Sequence, residues 1–231
     1  MKYLAVVPAY NEAKNISAAV RGIMRHLSLV IVVDDGSTDD TAKQAVGAGA
    51  TVLKHSRNTG KGAALATGFE YALAQDCDAV ITLDGDGQHD PLEIPAFIKC
   101  YEQHRPGMII GTRMAAVENM PWLRKATNRF TSAMISMATG RRITDSQSGF
   151  RLLGADLLRQ VDLTASKYDA ETEIIIKACR KGFEIAEVPV TTIYHDNAKS
   201  CIHPVRDTIR FFSLLIRLRF TKCRQPDSRQ R

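Results

Sequence analysis

Two carboxylates separated by a single glycine are the groups in this sequence best suited to chemistry. Asp84 and Asp86 follow the apolar run 79–83, which predicts a buried strand. Two uncompensated carboxylates at the end of such a strand would be costly, and a divalent cation would compensate them. Oxygen-only ligands suit Mg²⁺ or Mn²⁺, which commonly bridge phosphate oxygens and neutralise a leaving pyrophosphate. A turn with solvated carboxylates is the alternative.

A second acidic segment, Asp34-Asp35-Gly36-Ser37, ends the β-branched run 29–33. Ser, Thr and Asp before a helix satisfy its first backbone amides, so Ser37 or Asp39 is expected to cap the helix that follows. Asp35 would then be free to accept hydrogen bonds from a base or a ribose.

The segment Asn58-Thr59-Gly60-Lys61-Gly62 resembles the end of a P-loop. Position 55 is His where that motif requires Gly, so a P-loop NTPase is disfavoured. Lys61 at the start of a helix would still suit a phosphate, and a surface loop is the alternative. Residues 146–151 predict a small polar loop that ends in Arg151.

These groups need elements that bring them together. Apolar runs alternate with segments of helical spacing over residues 3–111, which predicts a parallel sheet with helices on both faces. Ligands bind such sheets at the carboxyl ends of the strands. Polar segments do follow the predicted strands: Pro8 to Glu12, Asp34-Asp35, Asp84 to Gln88, and Gly111-Thr112-Arg113.

The basic charge of the chain is concentrated at its end. Residues 203–231 carry eight Arg or Lys and two Asp, whereas the rest of the chain carries 23 charges of each sign, for a net charge of +6. A neutral body with a basic end disfavours nucleic-acid binding and favours an anionic surface. Residues 204–221 have helical spacing with a basic stripe, as in helices that lie in a membrane interface. The same apolar face would also serve to pack on the body or to pair two chains as a homo-oligomer.

Compartment signals are simple. Five cysteines without a CxxC spacing predict reduced thiols. The N-terminus has no signal-peptide pattern, and no stretch approaches the ~20 apolar residues of a membrane span. We therefore expect a cytoplasmic protein that is peripheral on the cytoplasmic face of a membrane.

Six short motifs, taken in order, resemble those of family-two inverting glycosyltransferases with the α/β GT-A fold. Within that family the resemblance is to dolichyl-phosphate and polyprenyl-phosphate mannosyltransferases, and it spans roughly residues 3–215. The motifs are Pro8-Ala9-Tyr10-Asn11-Glu12, Val33-Asp34-Asp35-Gly36-Ser37, Asn58-Thr59-Gly60-Lys61-Gly62, Asp84-Gly85-Asp86-Gly87-Gln88-His89, Gly111-Thr112-Arg113 and Ser148-Gly149-Phe150-Arg151.

The resemblance implies a role for each motif. The nucleotide-sugar side would comprise Pro8, Tyr10, Glu12, Val33, Asp35, Lys61, Asp84, Gly85, Asp86 and Arg113, with Asp86 and Arg113 as the catalytic pair. Asp84, Asp86 and Gln88 would hold Mg²⁺ or Mn²⁺. The acceptor phosphate would meet Ser148 and Arg151. Where those mannosyltransferases carry an Arg and then a Ser-Lys pair, this chain has His195 and Ser200-Cys201, and Lys199 and Arg206 would substitute.

The resemblance also implies an activity. A hexose would move from GDP-mannose or a UDP-hexose to a polyprenyl phosphate, with a divalent metal and a GT-A domain over residues 1–203. Residues 204–221 would form the interfacial helix and residues 222–231 a flexible basic tail. The alternatives are a family-two transferase with a UDP-sugar and a non-lipid acceptor, and a nucleotide-binding subunit without turnover.

Overall fold

The computed structural model describes residues 1–113, 122–164 and 169–191. Within these ranges the chain forms a seven-stranded sheet and seven α-helices, with a short 3₁₀ helix at Pro91–Glu93 before α4. The strands are β1 Tyr3–Ala9, β2 Val30–Asp34, β3 Thr51–Lys54, β4 Ala79–Thr82, β5 Met108–Thr112, β6 Arg151–Gly154 and β7 Ile185–Pro189. The helices are α1 Ile16–Ile23, α2 Thr41–Gly47, α3 Lys61–Leu73, α4 Ile94–His104, α5 Trp122–Thr139, α6 Ala155–Gln160 and α7 Asp169–Arg180.

The sheet is mostly parallel, as predicted, but it contains one reversed strand. Its order is β3-β2-β1-β4-β6-β5-β7, and β6 runs antiparallel to both β4 and β5. The sequence analysis did not predict β6, because it placed Arg151 at the end of a loop. In the structure Arg151 is instead the first residue of this buried strand.

The reversal of β6 decides which loops meet. Parallel strands β1, β2 and β4 end at the same edge of the sheet. Because β6 is antiparallel to β4, it begins at that edge, and Thr82 of β4 pairs with Arg151 of β6. The loop before β6 is therefore brought to the carboxyl ends of β1, β2 and β4.

Both faces of the sheet are covered, which explains why its strands are apolar throughout. One face packs in a single buried cluster with α1, α2 and α4. Helix α3 packs on β1 and β2, and it contacts α6 and α7. A Cβ on Gly68 of α3 would lie 2.4 Å from Val6 Cγ1, so α3 lies close against β1. This close packing places Lys61, the first residue of α3, beside the strand ends.

The predicted C-terminal helix (204–221), the tail (222–231) and the boundary at 203 lie outside the described residues. Among the helices that are described, none has the length and apolar character required to cross a bilayer.

Candidate active site

Lys61 links two carboxylates that are far apart in sequence. Its Nζ lies 2.5 Å from Asp84 Oδ1 and 2.6 Å from Glu171 Oε1. Burial alone would lower the pKa of Lys61, but the two negative charges outweigh it and raise that pKa above its ordinary value. Lys61 therefore stays cationic, and it is an ion-pair partner of the first carboxylate of the DxD motif.

Asp84 is enclosed on its other side as well. His89 Nε2 lies 3.4 Å from Asp84 Oδ2, and the His89 ring packs against Phe150 with 5.3 Å between centroids. A Cβ on Gly149 would lie 2.6 Å from Asp84 Oδ2. Burial would raise the pKa of Asp84, but the charge of Lys61 and the contact with His89 hold it well below the ordinary range. Asp84 is thus ionised and fixed in place.

The loop before β6 is anchored next to Asp84. Thr82 Oγ1 donates a 2.8 Å hydrogen bond to the carbonyl of Gly149, which ties this loop to the last residue of β4. Together Pro8, Lys61, Asp84, Gly149 and Glu171 contribute to the lining of one small cavity at the sheet edge. Residues that the sequence analysis took from separate motifs therefore do meet at one place.

Asp86 and Glu12 share an acidic environment with Asp84. Burial, and then the charge of Asp84, raises the pKa of Asp86 above its ordinary value. Burial, and then the charges of Asp86, Asp39 and Asp84, raises the pKa of Glu12 despite a hydrogen bond from Asn15. Ionising Asp86 and Glu12 beside the ionised Asp84 costs free energy, and a nearby cation would reduce that cost.

This environment fits a divalent metal. The oxygens of Asp84 and Asp86 are hard ligands, and their mutual repulsion is the kind that a cation relieves. Within the described ranges, no three His, Cys, Asp or Glu side chains are already gathered as a metal-binding group. A metal would therefore take oxygens from Asp84 and Asp86 and complete its shell from a bound diphosphate or water. Gln88, the third predicted ligand, is half-buried, and its backbone amide donates to Asp86 Oδ1 at 3.0 Å.

Asp35 was predicted to have a carboxylate without hydrogen bonds from the protein, and the structure shows that it accepts several. Its carboxylate accepts hydrogen bonds from the amide and hydroxyl of Thr59, from the amide of Gly60 and from His55 Nδ1, at 2.7 to 2.9 Å. It is 3% exposed. Asp35 thus fixes the loop that leads into Lys61, and its contact with a base or ribose stays a prediction. The N-cap of α2 is Asp40, without a side-chain cap, and not Ser37 or Asp39 as predicted; Asp39, one residue earlier, accepts the Thr41 amide on Oδ1 at 3.0 Å.

Val33, which was also predicted to bind the nucleotide, lies inside a strand. It is completely buried inside β2 and pairs with Pro8 on one side and Leu53 on the other. A Cβ on Gly68 of α3 would lie 3.2 Å from Val33 Cγ2, so the side chain points into the core. The side chain is therefore unavailable to a ligand in this structure, and the role of Val33 in nucleotide binding stays a prediction. Tyr10, by contrast, is 45% exposed just past the end of β1.

Gly85 lies against the first strand. A Cβ there would come within 3.3 Å of Ala9 Cβ and of the Pro8 carbonyl oxygen. The two strand ends are therefore packed backbone to backbone, which leaves little room for a side chain between the DxD motif and β1.

Arg113 is held by a carboxylate that the sequence analysis did not select. Asp145 accepts from Arg113 Nε at 2.7 Å and from Nη2 at 2.8 Å, and also from Asn128 Nδ2 at 2.8 Å. Burial would raise the pKa of Asp145, but the hydrogen bonds and the charge of Arg113 lower it below the ordinary value. This planar, two-point pair fixes the guanidinium at the end of β5.

Arg151, which was predicted to meet the acceptor phosphate, makes hydrogen bonds within the protein. Its guanidinium donates to the carbonyls of Ser148, Glu171 and Ser146 at 2.7 to 2.8 Å, and the residue is 2% exposed. It joins the loop before β6 to the first turn of α7, and it also contributes to the lining of the small cavity at the sheet edge, so its role on the acceptor side stays a prediction. Ser148 is fully buried, and its hydroxyl has no hydrogen-bond partner among the described residues. Lys199 and Arg206 lie outside the described residues.

Three functional neighbours of Asp84 and Arg113 were missed or given another role. Glu171 was interpreted only as a first-turn anion of α7, and His89 was quoted in a motif without a role. Asp145 directly precedes the Ser146–Arg151 loop, which was the signal available for it. None of the three has a sequence spacing that reveals its partner.

Comparison with known proteins shows the family of this chain. Residues 4–162 match the family model described as glycosyl transferase family 2. The chain is 30% identical over 240 residues to the UDP-N-acetylglucosamine–dolichyl-phosphate N-acetylglucosaminyltransferase of Methanococcus voltae, covering 94% of this chain and 96% of that protein. It is 29% identical to the undecaprenyl-phosphate mannosyltransferase of Micrococcus luteus, covering 87% of each.

The fold has a solved counterpart. Glucosyl-3-phosphoglycerate synthase from Mycobacterium tuberculosis, in complex with Mn²⁺, UDP and glucosyl-3-phosphoglycerate, superposes with a TM-score of 0.71 at 23% identity, covering 98% of this chain and 81% of that one. The same enzyme has also been solved with Mg²⁺ and UDP.

The fold is of the GT-A type. The chain belongs to glycosyl transferase family 2 and is a glycosyltransferase. This confirms both the fold class and the family expected from the sequence.

Proposed function

We propose that this protein moves a hexose from a nucleotide-diphosphate sugar to a polyprenyl phosphate, with inversion and with the help of a divalent metal. The observation that carries the proposal is the site at Asp84 and Asp86, in a chain whose relatives over most of its length are named as dolichyl- and undecaprenyl-phosphate sugar transferases. Complexes of the structural neighbour with Mn²⁺ or Mg²⁺ and UDP support the metal.

The reaction is a single displacement. An oxygen of the acceptor phosphate attacks the anomeric carbon from one side, a new C–O bond forms, and the bond to the nucleoside diphosphate breaks with its electron pair on the leaving oxygen. A phosphate monoester is ionised near neutral pH, so the attacking group requires no strong base. What the protein must supply is positioning and stabilisation of charge.

The residues divide this work. Lys61 and Arg113 are the cationic side chains that would meet phosphate oxygens of the donor or the acceptor, and Asp145 aims the Arg113 guanidinium. A divalent cation on Asp84 and Asp86, with Gln88, would neutralise charge on the leaving diphosphate. Tyr10 and Glu12, past the end of β1, would border the nucleoside.

A donor and acceptor panel tests the proposal. Purified protein is incubated with Mn²⁺, a polyprenyl phosphate and each of GDP-mannose, UDP-glucose and UDP-N-acetylglucosamine, and the released diphosphate and the glycolipid are measured. We expect one donor to give both products in equal amounts. Diphosphate release with a small phosphorylated acceptor but not with the lipid would favour the alternative, a UDP-sugar transferase with a non-lipid acceptor.

The metal role is tested by substitution at the DxD motif. We expect Asp86→Asn to lower kcat by about 100-fold or more, because the residue would hold the charge that stabilises the leaving group. Asp76→Asn, an exposed aspartate after α3, serves as the matched control and should transfer at the wild-type rate. Wild-type turnover by Asp86→Asn would exclude the metal role.

The lipid acceptor implies a membrane surface. We propose that residues 204–231 attach the protein peripherally to anionic bilayers through their basic stripe and apolar face. Flotation with vesicles that contain phosphatidylglycerol measures this directly. Deletion of 204–231 should abolish flotation and leave the release of diphosphate with a short-chain, water-soluble polyprenyl phosphate intact; equal flotation of both forms would refute the assignment.

A further inference from the structure

An ammonium group already occupies one oxygen of the proposed metal-binding pair. Lys61 Nζ lies 2.5 Å from Asp84 Oδ1, and it is shared with Glu171 Oε1 at 2.6 Å. The side chains of Lys61 and Glu171 are only 17% and 11% exposed, so bulk water screens this arrangement weakly. A divalent cation that binds Asp84 must therefore share that carboxylate with Lys61 or displace it.

Glu171 is a second partner for the ammonium group of Lys61, at nearly the same distance as Asp84. It reaches the site from the first turn of α7, and its backbone carbonyl is fixed by Arg151 Nη1 at 2.7 Å. If Lys61 releases Asp84, it can keep its contact with Glu171 and remain within the site. Without Glu171, the whole positive charge of Lys61 would fall on Asp84.

We propose that Glu171 is a positioning residue, which keeps the ammonium group of Lys61 in the site when Lys61 releases the Asp84 carboxylate. The Lys61–Glu171 pair then sets the affinity of the Asp84–Asp86 site for a divalent cation. The inference rests on the proposed metal-dependent function. Glu171 acts here through Lys61 and not as a ligand of the cation.

Opposite effects follow for the two partners. Lys61→Met removes the competing cation and frees Asp84, so Mn²⁺ should bind about tenfold more tightly, given the strength of charge interactions at such distances. Glu171→Gln keeps the shape of the side chain but leaves Lys61 with Asp84 as its charged partner, so Mn²⁺ should bind about tenfold more weakly.

A double-mutant cycle separates this role from a simple effect of charge. If Glu171 acted on the cation only through space, Glu171→Gln would weaken Mn²⁺ binding equally whether or not Lys61 is present. If it acts by holding Lys61, the substitution should have little effect in the Lys61→Met background. The cycle therefore measures the coupling that the proposal requires.

The experiment uses the full chain and Mn²⁺ alone, with free Mn²⁺ counted by electron paramagnetic resonance. Lys99→Met, which removes an exposed lysine of α4, is the charge-matched control and should leave the Kd for Mn²⁺ unchanged. Thermal unfolding of each variant verifies that it is folded. If Lys61→Met does not fold, the near-isosteric Glu171→Gln still decides, because an unchanged or tighter Kd in that variant overturns the proposal.

The outcomes are separate from those of the transfer assay. Coupling between Lys61 and Glu171 in Mn²⁺ binding supports the inference even if no donor in the panel is turned over. Equal effects of Glu171→Gln in both backgrounds, or no Mn²⁺ binding by either the wild type or Lys61→Met, overturn it. Active transfer with no coupling would retain the proposed function and reject this role for Glu171.

Discussion

At the scale of single residues, the site depends on contacts too close to tolerate an added methyl group. Gly149 shows this most directly, because its Cα faces the carboxylate of Asp84. A Cβ on Gly149 would lie 2.6 Å from Asp84 Oδ2 and 2.8 Å from Oδ1. The carbonyl of Gly149 accepts a hydrogen bond from Thr82. The glycine is needed here for close approach and not for an unusual backbone angle.

We therefore expect Gly149→Ala to damage catalysis more than folding. The added methyl must push Asp84 away from its place, and displacements of about 1 Å can cost about 100-fold in rate. The cost in the free energy of unfolding should be about 1–3 kcal/mol, as for other overpacked sites. Steady-state transfer assays and urea unfolding of the same preparation measure both quantities.

Gly47→Ala is the matched control for this experiment. Gly47 is the last residue of α2, and a Cβ there would meet no atom within 4 Å. The substitution should leave kcat unchanged and should be neutral or stabilising, because alanine restricts the unfolded chain. Equal activities of the Gly149→Ala and Gly47→Ala variants would contradict the close approach to Asp84.

Arg113 depends on Asp145 in a similar way. Asp145→Asn retains the shape of the side chain but removes the charge that pairs with a mostly buried guanidinium. We expect the free energy of unfolding to fall by about 1.5–3 kcal/mol, the range for hydrogen bonds to charged groups. The transfer rate should fall at least about tenfold, because Arg113 loses its fixed direction. A variant that is destabilised but turns over at the wild-type rate would show that Arg113 serves the fold only.

The residue scale is also where the sequence predicts least. Asp84 and Asp86 were identified because their spacing after a strand is itself a signal. Glu171 and Asp145 were not, because each acquires its role from a partner brought close only by folding: Glu171 from Lys61 and Asp145 from Arg113. The backbone contacts of Arg151 were missed for the converse reason, since nothing in a sequence reveals that a guanidinium will donate to backbone carbonyls.

At the scale of elements, α5 holds the loop before β6 through a polar face. Asn128 and Ser132 are buried, and Ser136 is half-buried, at helical spacing on one side of α5. Asn128 binds Asp145, and Ser132 Oγ accepts the amide of Ser146 at 2.9 Å. Ser136 Oγ accepts the amide of Ile143 at 3.0 Å. The loop that supplies Asp145 and Gly149 is therefore set by hydrogen bonds to α5 as well as by packing.

Ser132→Ala tests this attachment. The substitution leaves the buried amide of Ser146 without its hydroxyl acceptor, which should cost about 1–3 kcal/mol of unfolding free energy. The urea midpoint measures it, and a parallel fall in transfer rate would follow from a looser loop. Met137→Ala, at a position 71% exposed on the same helix, should change stability by less than about 0.5 kcal/mol. Similar midpoints for the two variants would argue against the polar attachment.

Elements with strong periodicity were predictable from the sequence, whereas strand β6 was not. Runs such as that of β2 are buried on both faces, and their lack of alternation correctly indicated a covered parallel sheet. Strand β6 has only four residues and begins with an arginine, so it gave no strand signal. Its antiparallel direction follows from tertiary pairing with β4 and β5, which local sequence does not encode.

At the scale of the whole molecule, five buried or half-buried carboxylates fall into two groups with opposite effects on stability. Hydrogen bonds and cations lower the pKa values of Asp35, Asp84 and Asp145 despite burial. Burial and like charges raise those of Glu12 and Asp86. The first group stabilises the fold when ionised, whereas the second opposes it, and the pH dependence of stability is the balance between them.

This balance predicts a melting temperature that changes little from pH 7 to about 5 and then falls steeply towards pH 3. As the pH falls towards about 4, protonation of Glu12 and Asp86 relieves repulsion in the folded state. This gain offsets the first losses of stability from the carboxylates whose pKa is lowered. A carboxyl with a lowered folded pKa stabilises above its unfolded value, near 3.8 for Asp145, and loses that contribution as the pH falls through the folded value. The Asp145→Asn variant lacks this pH-dependent stabilisation, so its melting temperature should be lower at neutral pH and should fall less between pH 5 and 3. The exposed Asp76→Asn control should follow the wild-type curve in differential scanning calorimetry, and parallel curves for all three proteins would show that the ion pair of Asp145 does not contribute to acid unfolding.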